Sequence, residues 1–150
     1  MSRVQLALNV SDLGAAIEFY AKLFDEKPAK TEPGYANFAI AEPPLKLVLI
    51  EGDGGGGTLN HLGVEVESSD DVRRTQQRLS GQGLDTATQE NVECCYAVQD
   101  KVWVHDPDRA PWEVYTVLAD APTMTGTGEC CAPGAADKDA AETAAAAACC

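Results

Sequence analysis

The sequence lacks any apolar run that approaches the roughly 18 residues needed to cross a lipid bilayer. It is also poor in positive charge, with 11 Lys and Arg against 24 Asp and Glu and a net charge of −13. The first shortage argues against a membrane protein, and the second argues against binding to nucleic acid or to an anionic membrane surface. Since 150 residues fit one domain of ordinary size, we expect a soluble protein with a small-molecule partner.

A shortage of large apolar residues divides the chain in two. Residues 119–150 contain no Val, Leu, Ile or aromatic residue, so this segment cannot supply a hydrophobic core. We predict a folded domain over residues 1–118, made of two modules at about 1–53 and 58–118. The remainder, residues 119–150, is predicted to be a disordered, cysteine-containing tail.

Cysteine is distributed unevenly. The six cysteines fall only as three adjacent pairs: Cys94 with Cys95, Cys130 with Cys131, and Cys149 with Cys150. Neighbouring Cα atoms are about 3.8 Å apart, below the usual disulfide range of about 4.4–6.8 Å. The N-terminal residues also lack the pattern of a secretion signal. We therefore expect free dithiols in a reducing, cytoplasmic environment.

The folded part reads as a repeat. Residues 5–10 and 61–66 alternate polar and apolar side chains, and each segment leads into an amphipathic helix pattern. Asp12 or Ser11 is placed to cap the first helix. Further strands are predicted at residues 35–40 and 45–50 in the first module, and at 90–99, 101–105 and 112–118 in the second. The repeat predicts an α+β fold with two βαβββ modules, whose sheets form an open, barrel-like cleft.

Strand alternation places three polar residues on faces turned away from the helices. They are Gln5, His61 and Glu113. An amide oxygen, an imidazole and a carboxylate that converge from three strands suit a divalent first-row metal and leave other coordination positions open. The alternative is a hydrogen-bonded histidine at a strand end, with a solvated glutamate and an ordinary polar glutamine.

These segments resemble a known superfamily. The QLALNV motif at residues 5–10, HLGV at 61–64 and PWEVY at 111–115 resemble the vicinal oxygen chelate superfamily of glyoxalases and extradiol dioxygenases. The resemblance covers about residues 1–118. The NVECCYA motif at residues 91–97, together with the cysteine-bearing tail, is similar to the cadmium- and arsenic-inducible branch, which includes ArsI-type carbon–arsenic lyases.

The resemblance implies an enzyme with a non-haem Fe(II) cofactor and O2 as co-substrate. Such an enzyme cleaves the carbon–arsenic bond of trivalent organoarsenicals, such as methylarsonous acid or trivalent aromatic arsenicals, and releases inorganic arsenite. It implies that Gln5, His61 and Glu113 are the metal ligands and form the catalytic centre. Cys94 and Cys95 would bind the substrate. Oxygen-activating relatives often have histidine at the first ligand position, whereas glyoxalase-like sites use glutamine, whose amide oxygen is a weaker donor than imidazole.

Trivalent arsenic gives a physical reason for the adjacent thiols. It is a soft centre with two exchangeable hydroxyls in R–As(OH)2, so two thiols can replace both. A regular strand would turn Cys94 and Cys95 to opposite faces, and we therefore predict an irregular backbone around residues 93–96. The alternative is a pair of small buried hydrophobic residues.

The tail cysteines have two interpretations. Cys130, Cys131, Cys149 and Cys150 could capture arsenicals or soft metals and deliver them to the cleft, or they could belong to a dispensable tail. Two other functions also remain open. One is a cadmium- or arsenite-sequestering thiol protein without turnover, and the other is a glyoxalase-type metalloenzyme that needs no thiols. The sequence is compatible with a monomer or a homodimer.

Overall fold

A computed structural model describes residues 2–52 and 55–124, in which two series of elements follow the same order. The first series is β1 (Arg3–Val10), α1 (Leu13–Phe24), β2 (Lys30–Glu32), β3 (Tyr35–Ile40) and β4 (Leu45–Glu51). The second series is β5 (Thr58–Glu65), α2 (Ser69–Gly81), β6 (Ala87–Cys94), β7 (Ala97–His105) and β8 (Pro111–Asp120). Each series is one βαβββ module.

All these strands belong to one curled, half-barrel sheet with the order β2-β3-β4-β1-β5-β8-β7-β6. In each module the first and last strands are parallel neighbours, β1 with β4 and β5 with β8. The modules join where β1 pairs with β5 in antiparallel orientation. The predicted α+β fold of two repeated modules around an open cleft is confirmed.

Helix α1 covers one face of the first module. It begins at Leu13 because the Asp12 carboxylate accepts a hydrogen bond of 2.8 Å from the Ala15 amide, and it ends where Asp25 adopts a left-handed conformation with φ 52°. Its apolar side chains pack on the outward-facing residues of β1, β3 and β4, among them Leu47 and Leu49. This packing fixes which face of the sheet is left for a cleft.

Helix α2 covers the same face of the second module. Ser68 caps it, and two aspartates in the first turn complement the positive end of the helix dipole. Val72 and Leu79 are its buried residues, and the helix packs on β7 and β8. The opposite face, which we call the inner face, carries Gln5 and His61. Neither helix in the described residues is long and apolar enough to cross a membrane.

Two predicted details are wrong. The strand β2 was not predicted from the sequence, and its three residues Lys30–Glu32 pair with β3 at the sheet edge. The strand predicted over residues 90–99 is interrupted, because the chain reverses at Cys95 and Tyr96. These residues have φ of 54° and 59°. Positive φ at both central residues is the geometry of a type I′ hairpin turn, for which Asn-Gly is the usual sequence. The irregular backbone predicted around residues 93–96 is confirmed.

Candidate active site

Three neighbouring strands bring Gln5, His61 and Glu113 together as a buried triad. Gln5 in β1 faces Gly63 in β5, and Gly63 faces Glu113 in β8. A Cβ atom on Gly63 would lie 3.1 Å from Glu113 Cγ and 3.3 Å from Gln5 Cβ, so glycine allows the two side chains to meet across the middle strand. Each member of the triad is only 3–4% exposed.

The spacing within the triad matches that of ligands on one face of an octahedral metal site. Gln5 Nε2 lies 2.8 Å from Glu113 Oε1 and 3.0 Å from His61 Nε2, and the last two atoms are 3.2 Å apart. Metal–ligand distances of about 2.1 Å set adjacent octahedral donors about 3.0 Å apart. The triad therefore has the dimensions to hold a small divalent cation, provided that Gln5 presents its oxygen.

A β-bulge orients the imidazole. Ala7 pairs with His61 but Leu8 pairs with Leu59, which leaves Asn60 as the extra residue of β5. Asn60 Oδ1 lies 2.6 Å from His61 Nδ1. When Nδ1–H donates to this oxygen, the lone pair of Nε2 faces the triad, which is the tautomer that a metal ligand requires.

Lys101 in β7 is a member of the site that the sequence analysis missed. Its Nζ donates a 2.9 Å hydrogen bond to Glu113 Oε2, and the residue is 2% exposed. Burial acts to raise the pKa of Glu113, but the charge of Lys101 outweighs burial and lowers this pKa to about 2. Burial acts to lower the pKa of Lys101, and the Glu113 carboxylate reverses that effect and raises it above its usual value. Glu113 is therefore ionised, with Oε1 turned toward the other two triad residues.

A polar network lies behind Gln5. The Tyr115 hydroxyl donates a short hydrogen bond to Gln5 Oε1 and lies 3.2 Å from Glu65 Oε2. Glu65 also pairs with Arg3 at 3.1 Å and Lys46 at 3.4 Å. Burial acts to raise the pKa of Glu65, but the two cations outweigh it and hold this pKa below its usual value. Burial raises the pKa of Tyr115 well above its usual value, so the network has a neutral donor beside an anionic acceptor.

The Cys94–Cys95 pair, called the dithiol here, lies at the β6–β7 turn. Its Sγ atoms are 3.3 Å apart, because the left-handed conformation of Cys95 returns its side chain to the side of Cys94. Cys94 is buried and Cys95 is partly exposed. The backbone amide of Cys95 donates to the Met124 carbonyl at 2.7 Å, so the segment after β8 holds the turn in place. Both thiols can reach one soft atom.

The dithiol adjoins the triad on the inner face. Cys94 belongs to a buried cluster that includes Ala7 and Val48. Ala7 lies two residues after Gln5 on the same strand and pairs with His61. Val48 in β4 pairs with Ala7, so an apolar wall connects the triad to the thiols.

Comparison with known proteins shows the family of this chain. Residues 3–114 match the family model described as the Glyoxalase/Bleomycin resistance protein/Dioxygenase superfamily. The chain belongs to this superfamily.

Two curated relatives are similar over most of their length. The chain is 63% identical over 128 residues to the cadmium-induced protein CadI of Mycobacterium tuberculosis, covering 85% of this chain and 84% of the relative. It is 60% identical over 136 residues to the trivalent organoarsenical cleaving enzyme of Thermomonospora curvata, covering 89% and 90% respectively. The predicted membership of the vicinal oxygen chelate superfamily and of its cadmium- and arsenic-related branch is confirmed.

A solved structure shows the same fold. The Mn(II)-bound glyoxalase from Novosphingobium aromaticivorans superposes with a TM-score of 0.58 at 20% identity, covering 85% of this chain and 44% of that one. This likeness supports the glyoxalase-superfamily architecture of the paired modules.

The described residues limit the donor set that this glyoxalase-superfamily chain can offer a metal ion. In residues 2–52 and 55–124, no group of three His, Cys, Asp or Glu side chains is arranged to hold a metal ion. A three-ligand site on the inner face therefore depends on the amide oxygen of Gln5. The four tail cysteines of the sequence analysis lie outside the described residues: Cys130, Cys131, Cys149 and Cys150.

Proposed function

We propose that the protein is a carbon–arsenic lyase that acts on small trivalent organoarsenicals. The observation that carries this proposal is the position of the dithiol, whose Sγ atoms are 3.3 Å apart, beside the triad on the inner face. The name of the Thermomonospora curvata relative, a trivalent organoarsenical cleaving enzyme at 60% identity, supports the same activity. Since reduced thiols need a reducing compartment, we place this activity in the cytoplasm.

The dithiol would capture the substrate. Cys94 and Cys95 would displace the two hydroxyls of R–As(OH)2 and release two molecules of water, leaving arsenic bound to both sulfurs and to the organic group. Burial of Cys94 against Tyr35 and Val48 keeps water from one side of the bound arsenical. The chelate would thereby hold the carbon–arsenic bond in a fixed position beside the triad.

The triad would hold Fe(II) through Gln5 Oε1, His61 Nε2 and Glu113 Oε1. One imidazole, one carboxylate and one amide oxygen suit a first-row divalent metal and leave other positions open. When bound, Fe(II) would supply the redox chemistry with O2. The net reaction of methylarsonous acid balances as CH3As(OH)2 + O2 → CH2O + As(OH)3, and aromatic arsenicals would also yield arsenite. Lys101 keeps Glu113 deprotonated and so available as a ligand.

Arsenite formation tests the proposal. The chain is loaded with Fe(II) without oxygen, mixed with methylarsonous acid and exposed to air, and arsenite is measured by chromatography with elemental detection. We expect arsenite from the wild type, and loss of at least 100-fold in Glu113→Gln. Cys95→Asn should also lose activity, although asparagine tolerates the left-handed backbone and preserves the turn. Arsenite formation that needs neither iron nor Glu113 would contradict the proposal.

A second candidate function is sequestration of soft ions without turnover. The Mycobacterium tuberculosis relative is named for induction by cadmium, and a dithiol alone is sufficient to bind a soft cation. This function predicts stoichiometric arsenical binding that is unchanged in Glu113→Gln, with no arsenite produced. A glyoxalase-type enzyme, in contrast, would remain active in Cys95→Asn.

The tail cysteines are proposed to capture arsenicals for the dithiol. Covalent attachment to the same chain raises the local concentration of captured substrate, which matters only when substrate is scarce. Replacing Cys130, Cys131, Cys149 and Cys150 by serine in the full chain should slow arsenite formation at submicromolar substrate and leave the saturated rate unchanged. Equal slowing at both concentrations would contradict a delivery role.

A further inference from the structure

The Gln5 amide turns its nitrogen, and not its oxygen, toward the other two triad residues. Its Nε2 donates to Glu113 Oε1 at 2.8 Å and faces His61 Nε2 at 3.0 Å. An amide nitrogen has two protons and no lone pair to offer a cation, whereas the amide oxygen can ligate. A half-turn of the planar amide would bring Oε1 into the triad and move Nε2 to the position facing Tyr115.

We infer that Tyr115 and Glu65 are positioning residues that select which end of the Gln5 amide faces the metal. This inference rests on the proposed metal site. The Tyr115 hydroxyl has one proton but lies beside two acceptors, Gln5 Oε1 and Glu65 Oε2. Because the single hydroxyl proton can be donated to either acceptor, two hydrogen-bond arrangements are possible.

The two arrangements differ in the direction of the hydrogen bonds. In the described arrangement Tyr115 donates to Gln5 Oε1, and the Gln5 amide nitrogen supplies the positive end of a dipole to Glu113. After the half-turn, Gln5 Nε2 donates to the Tyr115 hydroxyl oxygen, and the hydroxyl proton passes to Glu65 Oε2, 3.2 Å away. The side chains of Tyr115 and Glu65 do not need to move.

The surroundings of Glu65 fix it as an acceptor. Arg3 donates two hydrogen bonds to its carboxylate, at 3.1 and 3.3 Å, and Lys46 lies 3.4 Å from Oε2. Glu65 also pairs directly with Tyr115 across β5 and β8, and the Lys46 ammonium lies 5.0 Å from the Tyr115 ring centroid. An anionic acceptor held in this way favours the arrangement in which Tyr115 donates to Glu65 and accepts from Gln5.

The rotated arrangement therefore has one more hydrogen bond to Tyr115 than the unrotated one. Tyr115→Phe should weaken metal binding, because it removes two bonds from the metal-bound state and one from the metal-free state. Glu65→Gln should act in the same direction, since its amide can donate to Tyr115 and so favours the unrotated amide. Mutation of a residue that hydrogen-bonds to a metal ligand typically lowers metal affinity about 10–100-fold. We expect the effect of Tyr115→Phe to fall in this range.

The first test observes the amide directly by NMR in the full-length chain. In the metal-free protein, the Gln5 side-chain amide protons should show nuclear Overhauser contacts to the His61 ring. After addition of diamagnetic Zn(II), these contacts should be replaced by contacts to the Tyr115 ring. Metal binding with unchanged His61 contacts would overturn the inference and leave the proposed function intact, whereas failure of the wild type to bind Zn(II), Co(II) or Fe(II) would overturn both.

The second test is a double-mutant cycle on metal affinity. Dissociation constants for Co(II) and, without oxygen, Fe(II) are measured by chelator competition for the wild type, Tyr115→Phe and Glu65→Gln, each also in the Gln5→Glu background. A carboxylate has two identical ends, so this background leaves no orientation to select. We expect a loss of 10-fold or more with Gln5 present and less than about 3-fold in the Gln5→Glu background. Equal losses in both backgrounds, or a loss that follows a lower melting temperature of the metal-free variants, would overturn the inference.

Discussion

Replacing Lys101 by methionine should severely destabilise the metal-free protein. The Lys101 ammonium and the Glu113 carboxylate are 2.9 Å apart and almost completely buried. At an effective dielectric constant of about 20, their attraction is about 6 kcal/mol before desolvation is counted. Removing one member of a buried pair leaves the other charge uncompensated, which typically costs about 3–5 kcal/mol. For a domain of this size, we expect the melting temperature to fall by about 10–20 °C.

Urea denaturation of chelator-treated protein at pH 7, followed by far-UV circular dichroism, measures this loss. Arg73→Met is the matched control, because Arg73 and Asp70 are 2.7 Å apart but their side chains are 55% and 73% exposed. Such a pair contributes less than about 1 kcal/mol. Adding Glu113→Gln to Lys101→Met should restore most of the lost stability, because the unpaired charge is then removed. A loss in Lys101→Met no larger than in Arg73→Met would refute the reasoning.

Two further predictions concern the triad. In the metal-free protein, the free energy of unfolding should fall as the pH drops from about 4.5 toward about 2, because Glu113 has a folded-state pKa of about 2 against an ordinary value of 4.5. Acid titrations monitored by circular dichroism should show this loss of stability in the wild type but not in Glu113→Gln. Identical profiles for the two proteins would contradict this prediction. Gly63→Ala should cost about 1–3 kcal/mol and weaken metal binding at least 10-fold, since its Cβ would lie 3.1 Å from Glu113 Cγ. Gly81→Ala, where nothing lies within 4 Å of the new Cβ, should change stability by less than about 1 kcal/mol in the same denaturation assay, and equal effects would argue against crowding of the triad.

The positions of the triad residues could be predicted from the alternation of side chains alone. Gln5 and His61 each begin a polar–apolar alternation that must turn its apolar side to a helix, because a strand slipped by one residue would expose its leucines. Glu113 lies between Trp112 and Val114 on a strand with the same requirement. Period-two patterning therefore predicted that the three side chains share a face, and the parallel β5–β8 register brings them within hydrogen-bonding distance.

Lys101 and the hairpin turn could not be predicted in this way. A lysine in a strand is usually solvated. Only the register between β7 and β8, which pairs Lys101 with Tyr115, shows that Lys101 lies diagonally across from Glu113 on the same face. The turn at Cys95 and Tyr96 has two residues of positive φ and no glycine, so the local sequence has no turn signal. Contacts with the segment after β8, such as the hydrogen bond from the Cys95 amide to Met124, stabilise this turn, and such long-range contacts leave no trace in local patterning.

The strand register of the two modules also bears on the side from which a substrate can approach the triad. Ala7 pairs with Val48 in the first module just as Gly63 pairs with Glu113 in the second, so Val48 occupies the position related to Glu113 by the internal repeat. Two identical modules would contribute two ligands each, a strand-opening residue and a carboxylate, and so four protein donors in all. At this position the first module has an apolar residue instead of a donor, and Val48 continues the apolar wall to Cys94. In the proposed enzyme, the substrate would therefore approach the cation from the first module, on the side where the internal repeat has a valine instead of a second carboxylate.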